Sequence, residues 1–198
     1  FAGVDPNFGA GGGVLIVDGN AGGGLSDGGT ILSPEDCAYA PRQVWLRDRG
    51  MLGIPQSDTP FAPGVIATSN ENVAAVLGTV RSMGGALAFA EDAPAWTNVR
   101  YHVAIPTTYR VGANGTGTLR IGGGAELLCD TNLTVQGSLE VLEGGTITHS
   151  ADDTAFLYRM IVETTGDLTV RSNGNITATG KGWLAMQSAS RRCPLTAR

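Results

Sequence analysis

Two adjacent carboxylates, Asp152 and Asp153, sit between His149 and Arg159 in one short stretch of the chain. Paired carboxylates can divide general acid and general base work, while a nearby imidazole and guanidinium hold what they act on. These four residues are the leading site candidates, with Asp152 and Asp153 as catalytic groups and His149 and Arg159 as substrate-binding groups. Neighbouring residues of a regular strand point to opposite faces, so the two aspartates cooperate only on an irregular backbone. A solvated loop is the competing reading of the same residues.

Other constellations are sparser. Asp18-Gly-Asn20-Ala-Gly22 begins like a calcium loop, but Gly29 stands where a bidentate glutamate is required. Calcium on Asp18 and Asn20 is the one metal the sequence suggests, and no other cofactor is indicated. Gly174 to Gly182 approximates a phosphate-binding loop with one residue too many before Gly180-Lys181, and Gly182 replaces the magnesium-holding hydroxyl. It reads as a corner between strands. His102 and His149 lack the Gly-x-Ser-x-Gly element of a serine hydrolase and read as exposed strand residues. Asn114, Asn132 and Asn175 head glycosylation sequons, which arise readily in a threonine-rich chain.

The elements that must position these residues are constrained by composition. Among 198 residues, 30 are glycine and only 16 % are charged, so turns are frequent. A net charge of -5 without a lysine/arginine cluster argues against nucleic acid as a partner. No apolar run is long enough to cross a bilayer as a helix. The sequence opens at Phe1, without a basic segment and apolar core, so any targeting peptide is expected to be removed or to lie outside it. Cys37, Cys129 and Cys193 allow one disulfide at most, and Cys129 reads as a small buried thiol.

Residues 1–95 read as a glycine- and proline-rich region, mostly loop, with short strands such as Val14–Val17. One helix is expected over 69–82, where Thr68 and Glu71 match a capping box and Val73, Val76, Leu77 and Val80 recur at helical spacing. From Trp96 the pattern alternates as strands do. A frame then repeats three times: Gly117-Thr-Leu-Arg-Ile121 with Gly124-Ala-Glu-Leu127, Gly137-Ser-Leu-Glu-Val141 with Gly145-Thr-Ile-Thr148, and Gly166-Asp-Leu-Thr-Val170 with Gly174-Asn-Ile-Thr177. Both members of the frame lengthen together in the middle unit, as when one turn of a coil takes an insertion. Leu119/Ile121, Leu139/Val141 and Leu168/Val170 are expected to face inward, with Arg120, Glu140 and Thr169 outward. Residues 184–198 lack the frame and read as an irregular basic tail.

The repeat over 96–183 resembles the right-handed parallel β-helix of pectin-lyase-like and bacterial surface proteins. Ile176-Thr-Ala-Thr-Gly-Lys-Gly-Trp183 is similar to segments of large, glycine-rich, repetitive extracellular proteins of environmental bacteria. The resemblance implies an all-β protein with about three coils in its C-terminal half. It also implies an extracellular or cell-surface location and a structural or adhesive role within a larger protein, with a polysaccharide or surface glycan as ligand. An open coil end exposes strand edges that invite end-to-end association. The alternative implied activity is a polysaccharide lyase or glycoside hydrolase, with Asp152-Asp153 resembling the Asp-Asp element of galacturonan hydrolases and Arg159 binding an acidic sugar. The Asn-Thr-Asp, Gly-His-Gly and Arg-Ile-Lys elements of those enzymes are absent. A carbohydrate-binding module is the third reading.

Overall fold

The computed structural model describes residues 2–4, 13–19, 29–69, 77–90, 94–151 and 158–178. The first eight strands are β1 (Ala2–Val4), β2 (Val14–Asp18), β3 (Thr30–Ile31), β4 (Gln43–Arg47), β5 (Met51–Pro55), β6 (Val65–Ser69), β7 (Gly78–Met83) and β8 (Leu87–Phe89). One coil follows as β9 (Val99–Val103), β10 (Thr107–Val111) and β11 (Thr118–Ile121), and the next as β12 (Glu126–Cys129), β13 (Asn132–Gln136) and β14 (Ser138–Val141). A third comprises β15 (Thr146–Thr148), β16 (Ile161–Thr164) and β17 (Leu168–Val170), and β18 (Asn175–Ile176) opens another.

Successive coils stack strand on strand, so the chain is a parallel β-solenoid. One face is a seven-stranded parallel sheet in the order β3-β5-β7-β9-β12-β15-β18. A second holds β8-β10-β13-β16, extended at Phe61 by a bridge to Leu87. The third is divided into β1-β2-β4-β6 and β11-β14-β17, with Trp96 between them bridged to Ile121. Strand β1 is the antiparallel member, paired to β2 at the sheet edge.

Side-chain alternation builds the core. Leu119 aligns with Leu139 and Leu168, and Ile121 with Val141 and Val170, while Arg120, Glu140 and Thr169 align on the outer side. On the seven-stranded sheet, Leu52, Val80, Tyr101, Leu127 and Ile147 form an inward row that is almost wholly buried. Burying each such side chain is worth about 1.5–3 kcal/mol, and stacked repetition lets one coil supply the next with its contacts. Leu168, Val170 and Ile176 continue the inward rows but are 48 %, 47 % and 40 % exposed, at the last described coil. Inside the middle of the column, Phe89, Trp96, Tyr101 and Tyr109 cluster, with Trp96 lying flat on Tyr101 at a centroid separation of 3.4 Å. Gly137 marks a corner with φ of 131°, where an added Cβ would lie 2.6 Å from the Gly117 carbonyl oxygen. Only glycine suits that backbone and that approach.

The stack begins ahead of residue 96, because β3, β5 and β7 carry the first sheet directly into β9. The region expected to be mostly loop therefore contributes full coils. The helix expected over 69–82 is replaced by strand at both ends: β6 closes at Ser69 and β7 occupies Gly78–Met83, while residues 70–76 lie outside the described chain. Tertiary pairing of β7 with both β5 and β9 overrides the local helical spacing, which valines serve equally well in strands. Gly78 permits close approach here, since a Cβ would meet that of Leu46 at 2.5 Å. Thr68 itself lies within β6 and donates its hydroxyl to the Asn98 carbonyl at 2.9 Å.

Candidate functional site

The insertion anticipated from the repeat falls between β15 and β16, over residues 149–160, and the described chain resumes in register after it, with Leu133 aligned to Val162. At its stem sits Asp130, the first residue after β12. Its side chain is 6 % exposed. His102, outward on β9 in the coil below, places Nε2 2.8 Å from Asp130 Oδ2. Ser150, in the coil above, donates its backbone N–H to Oδ1 at 2.7 Å and its hydroxyl to Oδ2 at 2.8 Å. One carboxylate thus ties three successive coils, and the Asp130 carbonyl also accepts the Arg159 N–H at 3.2 Å as the insertion returns. These charge-assisted bonds offset the cost of burying the carboxylate.

His149 begins the insertion, with Nδ1 2.7 Å from the Ser150 carbonyl oxygen, and Arg159 ends it with an exposed side chain. The two predicted substrate-binding residues therefore flank one loop stem. Asp152 and Asp153, the predicted catalytic pair, lie outside the described residues, as does Asn20 of the calcium reading. Asp18 is exposed at the end of β2, its register partner on β4 being Arg47. Among the described residues no three histidine, cysteine, aspartate or glutamate side chains gather as a metal site.

The serine, aspartate and histidine at the stem do not form a nucleophile relay. In such a relay the imidazole stands between hydroxyl and carboxylate, whereas here the carboxylate stands between the other two and accepts from the hydroxyl. The arrangement anchors the stem and orients the His102 ring through Nε2. His102 is half-withdrawn at 19 % side-chain exposure, so reading it as an exposed strand residue understates its partner. The signal that could have found this cluster is the repeat itself: Ser150 follows Asp130 by 20 residues, one coil. Beneath it, Cys129 is a buried free thiol pushed up to about 12 by burial and then by the Asp130 charge.

The outward rows also carry ion pairs. Arg100 Nε donates to Glu126 Oε2 at 2.6 Å. Glu140 receives Arg171 at 2.6 Å and Arg120 at 3.3 Å, and these partners hold its carboxyl below the ordinary range, Arg171 contributing most. No helix among the described residues is long and apolar enough to cross a membrane.

Fold and stem together define a parallel β-solenoid. Protein-family models, curated proteins and solved structures offer no match to the chain.

Proposed function

We propose that this chain is a structural and adhesive solenoid segment of the cell surface or extracellular space that binds carbohydrate polymers along its faces. The observation that supports this reading most is the outward row Thr79, Arg100, Glu126, Thr146 and Asn175, aligned across five consecutive strands. Neighbouring strands lie about 4.8 Å apart, so the row offers hydrogen-bonding groups at a regular interval along a stiff support. A polymer whose hydroxyls recur along its length can meet several such groups at once. Each weak contact then adds to the next without new ordering of the protein.

The test is retention of the 198-residue chain on a panel of neutral and acidic polysaccharides, with product release followed in parallel. Saturable retention without new reducing ends or unsaturated termini supports the adhesive reading. Absence of retention on every polymer overturns it. A polysaccharide lyase or hydrolase is the second reading, favoured by the placement of His149 and Arg159 on one stem, with Asp152 and Asp153 between them in sequence. Turnover that disappears in both Asp152→Asn and Asp153→Asn would replace the first reading with the second.

A further inference from the structure

The divided third face leaves a cleft of about 210 Å³ between β6 and the segment through Trp96. The two walls belong to successive passes of the chain over this face, yet no backbone hydrogen bond joins them among the described residues. The Val65 N–H donates towards β4, to the Arg42 carbonyl. Backbone groups alternate sides along a parallel strand, so Ile66 and Thr68 direct their N–H and C=O away from β4 and towards the cleft. Trp96 turns both of its backbone groups the other way, donating to Arg120 O at 2.8 Å and accepting from Gly122 N at 3.0 Å. Phe89, Trp96 and Tyr101 supply the aromatic part of the lining.

A second observation points to a ligand. Among the described residues, the Tyr101 hydroxyl is the one hydroxyl buried without a hydrogen-bond partner, and Tyr101 is among the residues bounding this cleft. Buried hydroxyls without partners are uncommon because leaving one unpaired is costly. No described lining residue is charged, and Asn98 and Thr68 add further polar groups.

The shape selects the occupant. Thr68 Oγ1 donates to the Asn98 carbonyl at 2.9 Å, which closes one end, so a polypeptide strand cannot run through and pair along β6. The volume falls below that of pockets for drug-sized molecules, which leaves room for a single ring. We propose that this cleft binds one neutral pyranose unit, its apolar ring face against Trp96 and Phe89 and its hydroxyls on the backbone of Ile66 and Thr68, on Asn98 and on Tyr101. The inference deepens the carbohydrate reading and rests on it.

Ligand-observed NMR and calorimetry on the full chain, with methyl glucoside, methyl galactoside, methyl mannoside and glucuronate, test the site. At least one neutral glycoside should bind saturably and glucuronate should not. Tyr101→Phe should weaken that binding about threefold to tenfold, the effect of one lost hydrogen bond, without lowering the melting temperature of the sugar-free protein. Ala95→Leu, which adds bulk at the cleft wall, should abolish it. Binding unchanged by both substitutions, or preference for glucuronate, overturns the cleft assignment. Polysaccharide retention without any monosaccharide binding also overturns it while leaving the adhesive reading intact. Loss of both removes both.

Discussion

Asp130→Ala tests whether one carboxylate fastens three coils. The substitution removes acceptors from His102 Nε2, Ser150 N and Ser150 Oγ, at 2.8, 2.7 and 2.8 Å. A hydrogen bond to a charged group is worth about 1.5–3 kcal/mol in favourable cases. His102 and Ser150 both retain some solvent access and can recover part of that from water, and removing the buried charge returns its desolvation cost. The expected net loss is therefore about 2–4 kcal/mol, well short of three full bonds. Asp130→Asn keeps one carbonyl acceptor but presents an N–H₂ to a donor, so it should cost about half as much. Urea unfolding followed by circular dichroism measures the loss as a shift in midpoint at constant slope. Hydrogen exchange at the Ser150 amide provides the local readout, and it should accelerate more than exchange at Leu127 or Leu139 in the neighbouring strands. A loss below about 0.5 kcal/mol, typical of an unimportant surface position, would refute the stitching argument.

Three further outcomes follow from the same geometry. Leu139→Ala, in the middle of a buried row, should cost about 2–5 kcal/mol, whereas Leu168→Ala, half-exposed on the same row, should cost under half as much in parallel urea titrations. Glu140 has a folded-state pKa below its ordinary 4.5, so its stabilising contribution is present above that value and is lost as pH falls through the folded-state pKa. The difference between wild type and Glu140→Gln should be constant above pH about 5, shrink in acid and stay under about 1 kcal/mol, because the pair is solvent-screened. Cys129 should resist alkylation by iodoacetamide at pH 8 in the folded protein and react at a free-thiol rate in urea; mass spectrometry of the labelled peptide distinguishes the two.

The legible part of the fold was the part with short, clean repeats. Leu119, Leu139 and Leu168 share a frame that differs only in loop length, so their alignment and the outward placement of Arg120, Glu140 and Thr169 could be read directly. The earlier coils were hidden because their strands lack that frame. Residues Met51–Pro55 and Gly78–Met83 pair perfectly in register, yet one carries Gly53 and Pro55 and the other starts at a glycine, features that in isolation argue against regular structure. The apparent helix at Thr68 failed for a related reason. Val80 at a helical interval is also an inward strand position, and only the neighbours on β5 and β9 decide between them. The position of His149 and Arg159 beside an insertion was readable because an insertion is visible as a change in period. Asp130 was missed although the repeat carries it to Ser150 one coil on, because its other partner, His102, lies on a strand that precedes the clean repeat.

A solenoid of this kind confines distinctive chemistry to the places where stacking is interrupted. Along the regular rows, outward charges tend to neutralise one another: Arg100 meets Glu126, and Glu140 meets Arg120 and Arg171. Such rows suit broad, repeated, weak contact. Specific recognition needs a feature that does not repeat, and the described column has two. The insertion stem concentrates His102, Asp130, His149, Ser150 and Arg159 at one corner, whereas the cleft between β6 and Trp96 is faced by backbone that no described residue pairs, beside an aromatic cluster. The stem carries charge and the described lining of the cleft carries none. An acidic polymer should therefore respond to Arg159 and a neutral one to Tyr101, so Arg159→Ala and Tyr101→Phe ought to impair different ligands in the same retention assay. Undiminished retention of both ligands in both variants would mean that the column binds through its rows alone, with neither interruption selecting what it holds.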